Sequence, residues 1–216
     1  MKFKMNVPNT LTMIRILCTP LMILMFLLPI PKGIGVFIAL GIYVIACITD
    51  SLDGYIARKY NLVTDFGKFM DQIADKFITT TAMILVLFGS KPVTCSWLSV
   101  LMLLIVVLRD ILISGIRMVA ANKDVVIAAD IFGKVKSLFL DLASMVLILF
   151  IGLREVVTSD FLRYVQVFGL SLMIIGVVLT IVSCVNYTVK AVKQLCPAPE
   201  KAEDDDEEAA PEDDDE

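Results

Sequence analysis

The chain contains no histidine among its 216 residues. That absence removes every mechanism built on an imidazole base and every histidine-ligated metal site. Cysteine offers little in its place. Cys18, Cys47, Cys95, Cys184 and Cys196 form no C-x-x-C pair, and most sit inside apolar runs. They read as small core or lipid-facing residues, not as a disulfide framework or a zinc site. Cys196, at the edge of the last apolar run, also fits acylation. The sequence lacks an internal repeat and lacks the period-2 alternation of a barrel. Any metal bound here must be held by oxygen ligands.

What the chain has in abundance is apolar sequence: 58% of residues are hydrophobic and the mean hydropathy is +0.84. Soluble domains lie nearer 45–50% apolar, and runs of about 18 or more apolar residues read as membrane spans. The expected class is an all-α integral membrane protein with six transmembrane helices, at roughly 12–31, 34–57, 68–89, 95–120, 133–152 and 162–188. "PIPKG", "RKYNLVTD", "SKPVTCS", "ANKDVVIAAD" and "LREVVTSD" separate them, by proline, glycine and clustered charge. A short amphipathic segment opens the chain. Arg15 and Pro20 interrupt the first run and no A-x-A site follows it, so it reads as a retained helix, not a cleaved leader.

The net charge of −4 conceals two unlike parts. Residues 200–216, "EKAEDDDEEAAPEDDDE", hold 12 of the 23 acidic residues and one of the 19 basic ones, so the rest of the chain is basic. An acidic run of this kind repels itself and has nothing to bury, so a disordered, solvated tail is expected. The domain reading is a transmembrane domain over 1–195 and an acidic tail over 196–216. With both termini inside, eleven lysines and arginines fall on the cytoplasmic side and four outside. An even number of spans agrees with that positive-inside bias. The localisation expected is the cytoplasmic membrane, multi-pass, with no nucleic-acid partner.

One segment breaks the apolar pattern: "TDSLDGYIARKYNLVTDFGKFMDQIADK", Thr49 to Lys76, with five aspartates. It joins the end of the second span to the start of the third, at the cytoplasmic face. At 3.6 residues per turn, Asp50, Asp53, Gly54 and Ala57 share one helix face, and Gly67, Asp71 and Asp75 share another. A short loop makes the two helices antiparallel neighbours. Small residues on both faces let backbones or a ligand come close. Four facing carboxylates repel one another, and one left unpaired at bilayer depth costs at least ~2.5–3.5 kcal/mol. One or two divalent cations resolve this, and oxygen-only ligands suit magnesium, manganese or calcium. Asp65 fits an ordinary helix N-cap. The other four do not, because caps need no pairs running into the helix.

These residues resemble a known signature. Asp50, Asp53, Gly54, Ala57, Arg58, Gly67, Asp71 and Asp75 match D-x2-D-G-x2-A-R-x8-G-x3-D-x3-D at every fixed position. That is the motif of the CDP-alcohol phosphotransferases. "NVPNTLTMIRI" (Asn6–Ile16) and "RDILISGIRMVAANKDVVIAADIFGKVKS" (Arg109–Ser137) are similar to the bacterial branch that makes phosphatidylglycerol phosphate from CDP-diacylglycerol and sn-glycerol 3-phosphate. The resemblance implies that Asp50, Asp53, Asp71 and Asp75 bind two Mg2+ or Mn2+ ions, and that Asp75 also takes the acceptor's proton. It implies nucleotide contacts at Gly54, Ala57, Arg58 and Gly67, with Asn9 and Thr12 as further candidates, and a homodimer. Asp141, inside the fifth run, falls outside the motif.

An acceptor carrying its own phosphate needs a second, cationic pocket. Arg109 and Arg117 lie eight apart, near one helix face, and Lys134 and Lys136 open the fifth span. Arginine matches phosphate with a fork of donors, whereas lysine acts as a point charge. The plainer reading of each is a snorkelling or positive-inside charge, and Lys136 suits that best. For Arg109 the rival is a salt bridge to Asp110. Two alternatives stand beside the main reading. One is the same chemistry on another alcohol, inositol phosphate or serine. The other is a divalent-cation transporter, which calls for a midplane site and a repeat that the chain lacks.

Overall fold

The computed structural model describes residues 7–59, 65–89, 96–122, 131–158 and 160–195. The side chains of 7–9, 32, 51–58, 65, 66, 68, 96, 121, 122, 131, 132 and 134 are outside that description, as is the acidic tail. The described residues form six long α-helices: α1 (Val7–Leu27), α2 (Ile34–Lys59), α3 (Asp65–Gly89), α4 (Ser96–Asn122), α5 (Ile131–Arg154) and α6 (Phe161–Leu195). Among them there is no strand. Five of the six carry a continuous stretch long and apolar enough to cross a membrane. In α2 the apolar part is Ile34–Asp50, because there the aspartate pattern begins. This is an all-α integral membrane protein.

The breaks follow local chemistry. The prolines of "PIPKG" open a single 3₁₀ turn, Pro31–Gly33, between α1 and α2. Gly33 has φ +66°, and a Cβ there would meet the carbonyl oxygen of Gly152 at 2.9 Å. Only glycine satisfies both the left-handed backbone and the close approach. Pro20 lies within α1, and Thr19 one residue earlier donates its hydroxyl to the Arg15 carbonyl at 3.1 Å. Such local adjustments keep a proline tolerable in a membrane helix.

Packing places α5 at the centre. It lies against α6 most extensively and also meets α2 and α3. Leu140, Ala143, Leu147 and Ile148 of α5 are all at most 3% exposed. Small residues set the α5–α6 distance: a Cβ on Gly176 would sit 2.8 Å from Leu140 Cδ2, and one on Gly169 2.8 Å from Leu147 Cδ2. Between membrane helices such close approach is the main source of association. Gly176→Leu is therefore expected to destabilise by about 1–3 kcal/mol through overpacking. Thermal unfolding in detergent measures this, and an unchanged melt would refute the packing argument.

α1 packs on α2 and α3, and α4 stands at the edge, resting mainly on α6. Large apolar side chains point outward all round, Leu17 at 69%, Ile45 at 64% and Ile111 at 64% exposed among them. In a bilayer these meet lipid tails, so their exposure carries no penalty.

Candidate active site

At one end of the bundle a cavity of about 610 Å³ opens between α2, α3, α4 and α5. Pockets for small ligands commonly measure about 300–1,000 Å³. Its two sides differ in charge. Asp50 of α2 and Asp71 and Asp75 of α3 line one side. Arg109 and Arg117 of α4 and Lys136 of α5 line the other. The helical registers expected from the sequence thus bring six of its candidate residues to a single space.

Behind the acidic side stands Arg15 of α1, 2% exposed. Its Nη1 lies 2.5 Å from Asp50 Oδ1 and 3.2 Å from Asp71 Oδ1. A guanidinium is strongly favoured there, since two carboxylates would otherwise face each other across helices α2 and α3. The contact also shows that these oxygens converge on one cationic group. Oxygen donors converging in this way fit a hard divalent ion. Among the described residues no three acidic or thiol side chains close round one point, and the side chain of Asp53 lies outside that description.

The basic side is organised by Asp110. Its Oδ1 receives Lys136 Nζ at 2.6 Å and Arg109 Nη1 at 3.0 Å. Arg109 Nη2 also donates to Ser183 Oγ of α6 at 2.7 Å. Lys76 of α3 reaches across to the Asp110 carbonyl at 3.2 Å and to Ser114 Oγ. One carboxylate thus tethers cations from two helices while the wall keeps a positive excess. Lys136 is no snorkelling charge: it is 5% exposed and turned inward. Arg109 makes the salt bridge that sequence reasoning offered as the rival to phosphate binding, yet it also lines the cavity. Arg117 is exposed at the cavity rim.

The other candidates divide. Thr12 of α1 is buried at 3% exposure, and Gly67 of α3 is half-buried. Asn9, Asp53, Gly54, Ala57, Arg58 and Lys134 lie on helical backbone, with side chains outside the described set. Sequence reasoning missed Arg15, Lys76 and Ser183 as site residues. For Arg15 a signal existed, a lone cation within an apolar helix, which calls for a buried partner. Asp141 also gains an explanation: its Oδ1 accepts hydrogen bonds from Tyr43 Oη of α2 and Thr79 Oγ1 of α3, each at 3.0 Å. That junction ties α2, α3 and α5 beneath the cavity.

Comparison with known proteins agrees with this geometry. A CDP-diacylglycerol–glycerol-3-phosphate 3-phosphatidyltransferase of Bacillus subtilis (strain 168) is 38% identical over 143 residues, 61% of this chain and 70% of the relative. The protein of that name from Rickettsia prowazekii (strain Madrid E) is 34% identical over 191 residues, covering 87% of this chain and 96% of its own. One from Shigella flexneri serotype 5b (strain 8401) is 33% identical over 184 residues, with coverage of 84% and 92%. The family profile of the CDP-alcohol phosphatidyltransferases matches residues 5–182, which include all three described aspartates of the acidic wall and the whole basic wall. With that match over most of its length, this chain belongs to the CDP-alcohol phosphatidyltransferase family.

Proposed function

We propose that the protein transfers the phosphatidyl group of CDP-diacylglycerol to sn-glycerol 3-phosphate, forming phosphatidylglycerol phosphate and CMP. The observation that carries this reading is the two-sided cavity, with Asp50, Asp71 and Asp75 on one side and Arg109, Arg117 and Lys136 on the other. The names of the relatives supply the substrates. Family members depend in general on a divalent metal. Here Asp50, Asp53, Asp71 and Asp75 would hold it, as two Mg2+ or Mn2+ ions. Such ions neutralise charge on a pyrophosphate and on departing CMP.

The chain's own groups divide the remaining work. Asp75 accepts the proton of the acceptor hydroxyl as its oxygen bonds to the β-phosphorus and the bond from that phosphorus to CMP breaks. A carboxylate is a weak base, so position next to the alcohol matters more than basicity. Gly54, Ala57 and Gly67 let the nucleotide approach the helices; Arg58, Asn9 and Thr12 contact it. Arg109, Arg117, Lys134 and Lys136 receive the acceptor's phosphate. The catalytic unit spans 1–195, followed by an acidic tail at 196–216. The positive-inside bias of lysine and arginine supports a cytoplasmic position for the site and both termini, and the chain works as a homodimer.

The test is CMP release by purified protein with CDP-diacylglycerol and magnesium, offering glycerol 3-phosphate, inositol phosphate, serine or no acceptor in parallel. Metal-dependent release with glycerol 3-phosphate alone is expected. Release with a different alcohol would overturn the acceptor while keeping the chemistry. The basic wall gives a second expectation. Asp110→Asn frees Lys136 and Arg109 from their shared tether, and a charge-assisted hydrogen bond is worth ~1.5–3 kcal/mol. The KM for glycerol 3-phosphate should rise about tenfold or more, with that for CDP-diacylglycerol within about twofold. Arg117→Ala should show the same asymmetry, more weakly because of its exposure. Equal losses for both substrates would sink the assignment of this wall to the acceptor.

A further inference from the structure

We infer that Asp141 of α5 is a positioning residue for the metal site: it fixes the spacing of the carboxylates on α2 and α3 without itself holding the ion. This rests on the proposed use of Asp50, Asp53, Asp71 and Asp75 as metal holders and deepens it.

The carboxylates that would share an ion stand on two helices that barely pack on each other. α2 and α3 each lie chiefly against α1 and α5, and their direct contact is slight. Their spacing is therefore set through third helices, and two polar ties do this. The first is Arg15 of α1, which holds Asp50 of α2 and Asp71 of α3. The second is Asp141 of α5. Its Oδ1 accepts from Tyr43 Oη of α2 and from Thr79 Oγ1 of α3, each at 3.0 Å.

The two ties stand like rungs between the helices. Tyr43 precedes Asp50 by seven residues, and Thr79 follows Asp71 by eight. At 1.5 Å per residue the rungs are about 10.5 Å apart along α2 and about 12 Å apart along α3. Asp75 lies midway on α3, four residues from Asp71 and four from Thr79, on the same helix face. One tie fixes a distance between two rods, and a second fixes their angle as well. Thr79 also lines the cavity, so a shift of this rung reaches the site directly.

The rungs differ in what they are made of. The Arg15 rung uses carboxylates that a cation would take, so the ion competes for it. The Asp141 rung uses no proposed ligand and keeps its geometry in either state. Plain packing does not call for it. Leu140 and Ala143 beside it in α5, and Ile78 beside Thr79, are at most 3% exposed, so an apolar residue would fill the position at lower cost than a carboxylate. What the carboxylate adds is one oxygen that serves directional hydrogen bonds from two other helices.

The test is Mn2+ binding to metal-stripped protein without substrate, read from the electron paramagnetic resonance of the free ion, with thermal melts in EDTA alongside. Asp141→Leu removes the rung and should raise the Mn2+ concentration at half-saturation about tenfold or more, since two hydrogen bonds are lost. Asp141→Asn keeps an oxygen that accepts both hydroxyls, so its half-saturation should stay within about twofold of the unmodified protein. Tyr43→Phe and Thr79→Val each delete one donor at nearly constant size, and each should weaken binding about three- to tenfold, the worth of one hydrogen bond. These two carry the test if Asp141→Leu fails to fold. Lower melting in EDTA with unchanged Mn2+ binding in every variant would make the junction purely structural and overturn the inference. Equal losses in Asp141→Asn and Asp141→Leu would mean that the charge itself draws the ion, and would overturn it too. Unmodified protein that binds no Mn2+ would defeat the metal assignment under the proposed function, and this inference with it.

Discussion

Asp75→Asn should lower kcat by about 10²–10⁴-fold, the usual range for removing a general base, while the protein still binds CDP-diacylglycerol. The substitution keeps shape and removes the ability to take a proton. Asp75 shares the cavity with Asp71 one turn earlier and with Asp50 across the helix pair, and the basic wall stands opposite. Loss of base and partial loss of metal affinity separate experimentally. Titration of the variant with magnesium or manganese should recover any binding deficit, and the rate deficit should persist at saturation. Near-normal turnover at saturating metal would show that another group takes the proton.

The second large effect concerns Arg15. Breaking a buried ion pair by removing one partner costs ~3–5 kcal/mol. Here the carboxylates of Asp50 and Asp71 are 37% and 47% exposed, so water relieves part of the penalty. Arg15→Met is expected to destabilise the metal-free protein by about 2 kcal/mol. The useful signature is conditional. A divalent ion binding at the same carboxylates replaces the missing charge and stabilises the folded state by mass action. Thermal melts with EDTA and with saturating magnesium should therefore show a large gap between variant and unmodified protein in the first condition and a smaller one in the second. A gap that magnesium does not narrow would mean Arg15 and the metal act at separate places. Retention of the arginine in the loaded state would then be purely structural.

Much of this was open to reading from residues in order. Apolar runs marked the six helices because a bilayer demands about 20 apolar residues per span, and the interruptions at "PIPKG" and "RKYNLVTD" fall where the helices end. The spacing of Asp71 and Asp75 predicted one shared face of α3 because helical periodicity is a local property, and both line the cavity with Asp50 of α2. α1 and α6 were the least well bounded: α1 spans Val7–Leu27 where 12–31 was expected, and α6 continues to Leu195, past the expected end at 188, because a membrane limits hydropathy and not helix length.

What the sequence by itself determined was the class, the spans and the carboxylate motif, since each rests on contacts within about two turns of one helix. Only the tertiary structure decided how the cations are used. Arg15 and Asp50 are 35 residues apart, Lys136 and Asp110 are 26, and Arg109 and Ser183 are 74. No local periodicity relates such positions. Asp141 shows the same limit: as a residue in an apolar run it had no explanation, and it acquires one only when α2 and α3 deliver Tyr43 and Thr79 to its carboxylate. In a membrane the apolar surface of every helix is acceptable to lipid, so hydropathy cannot choose which faces meet. That choice falls to small residues such as Gly176 and to buried polar pairs, whose partners are set by the fold.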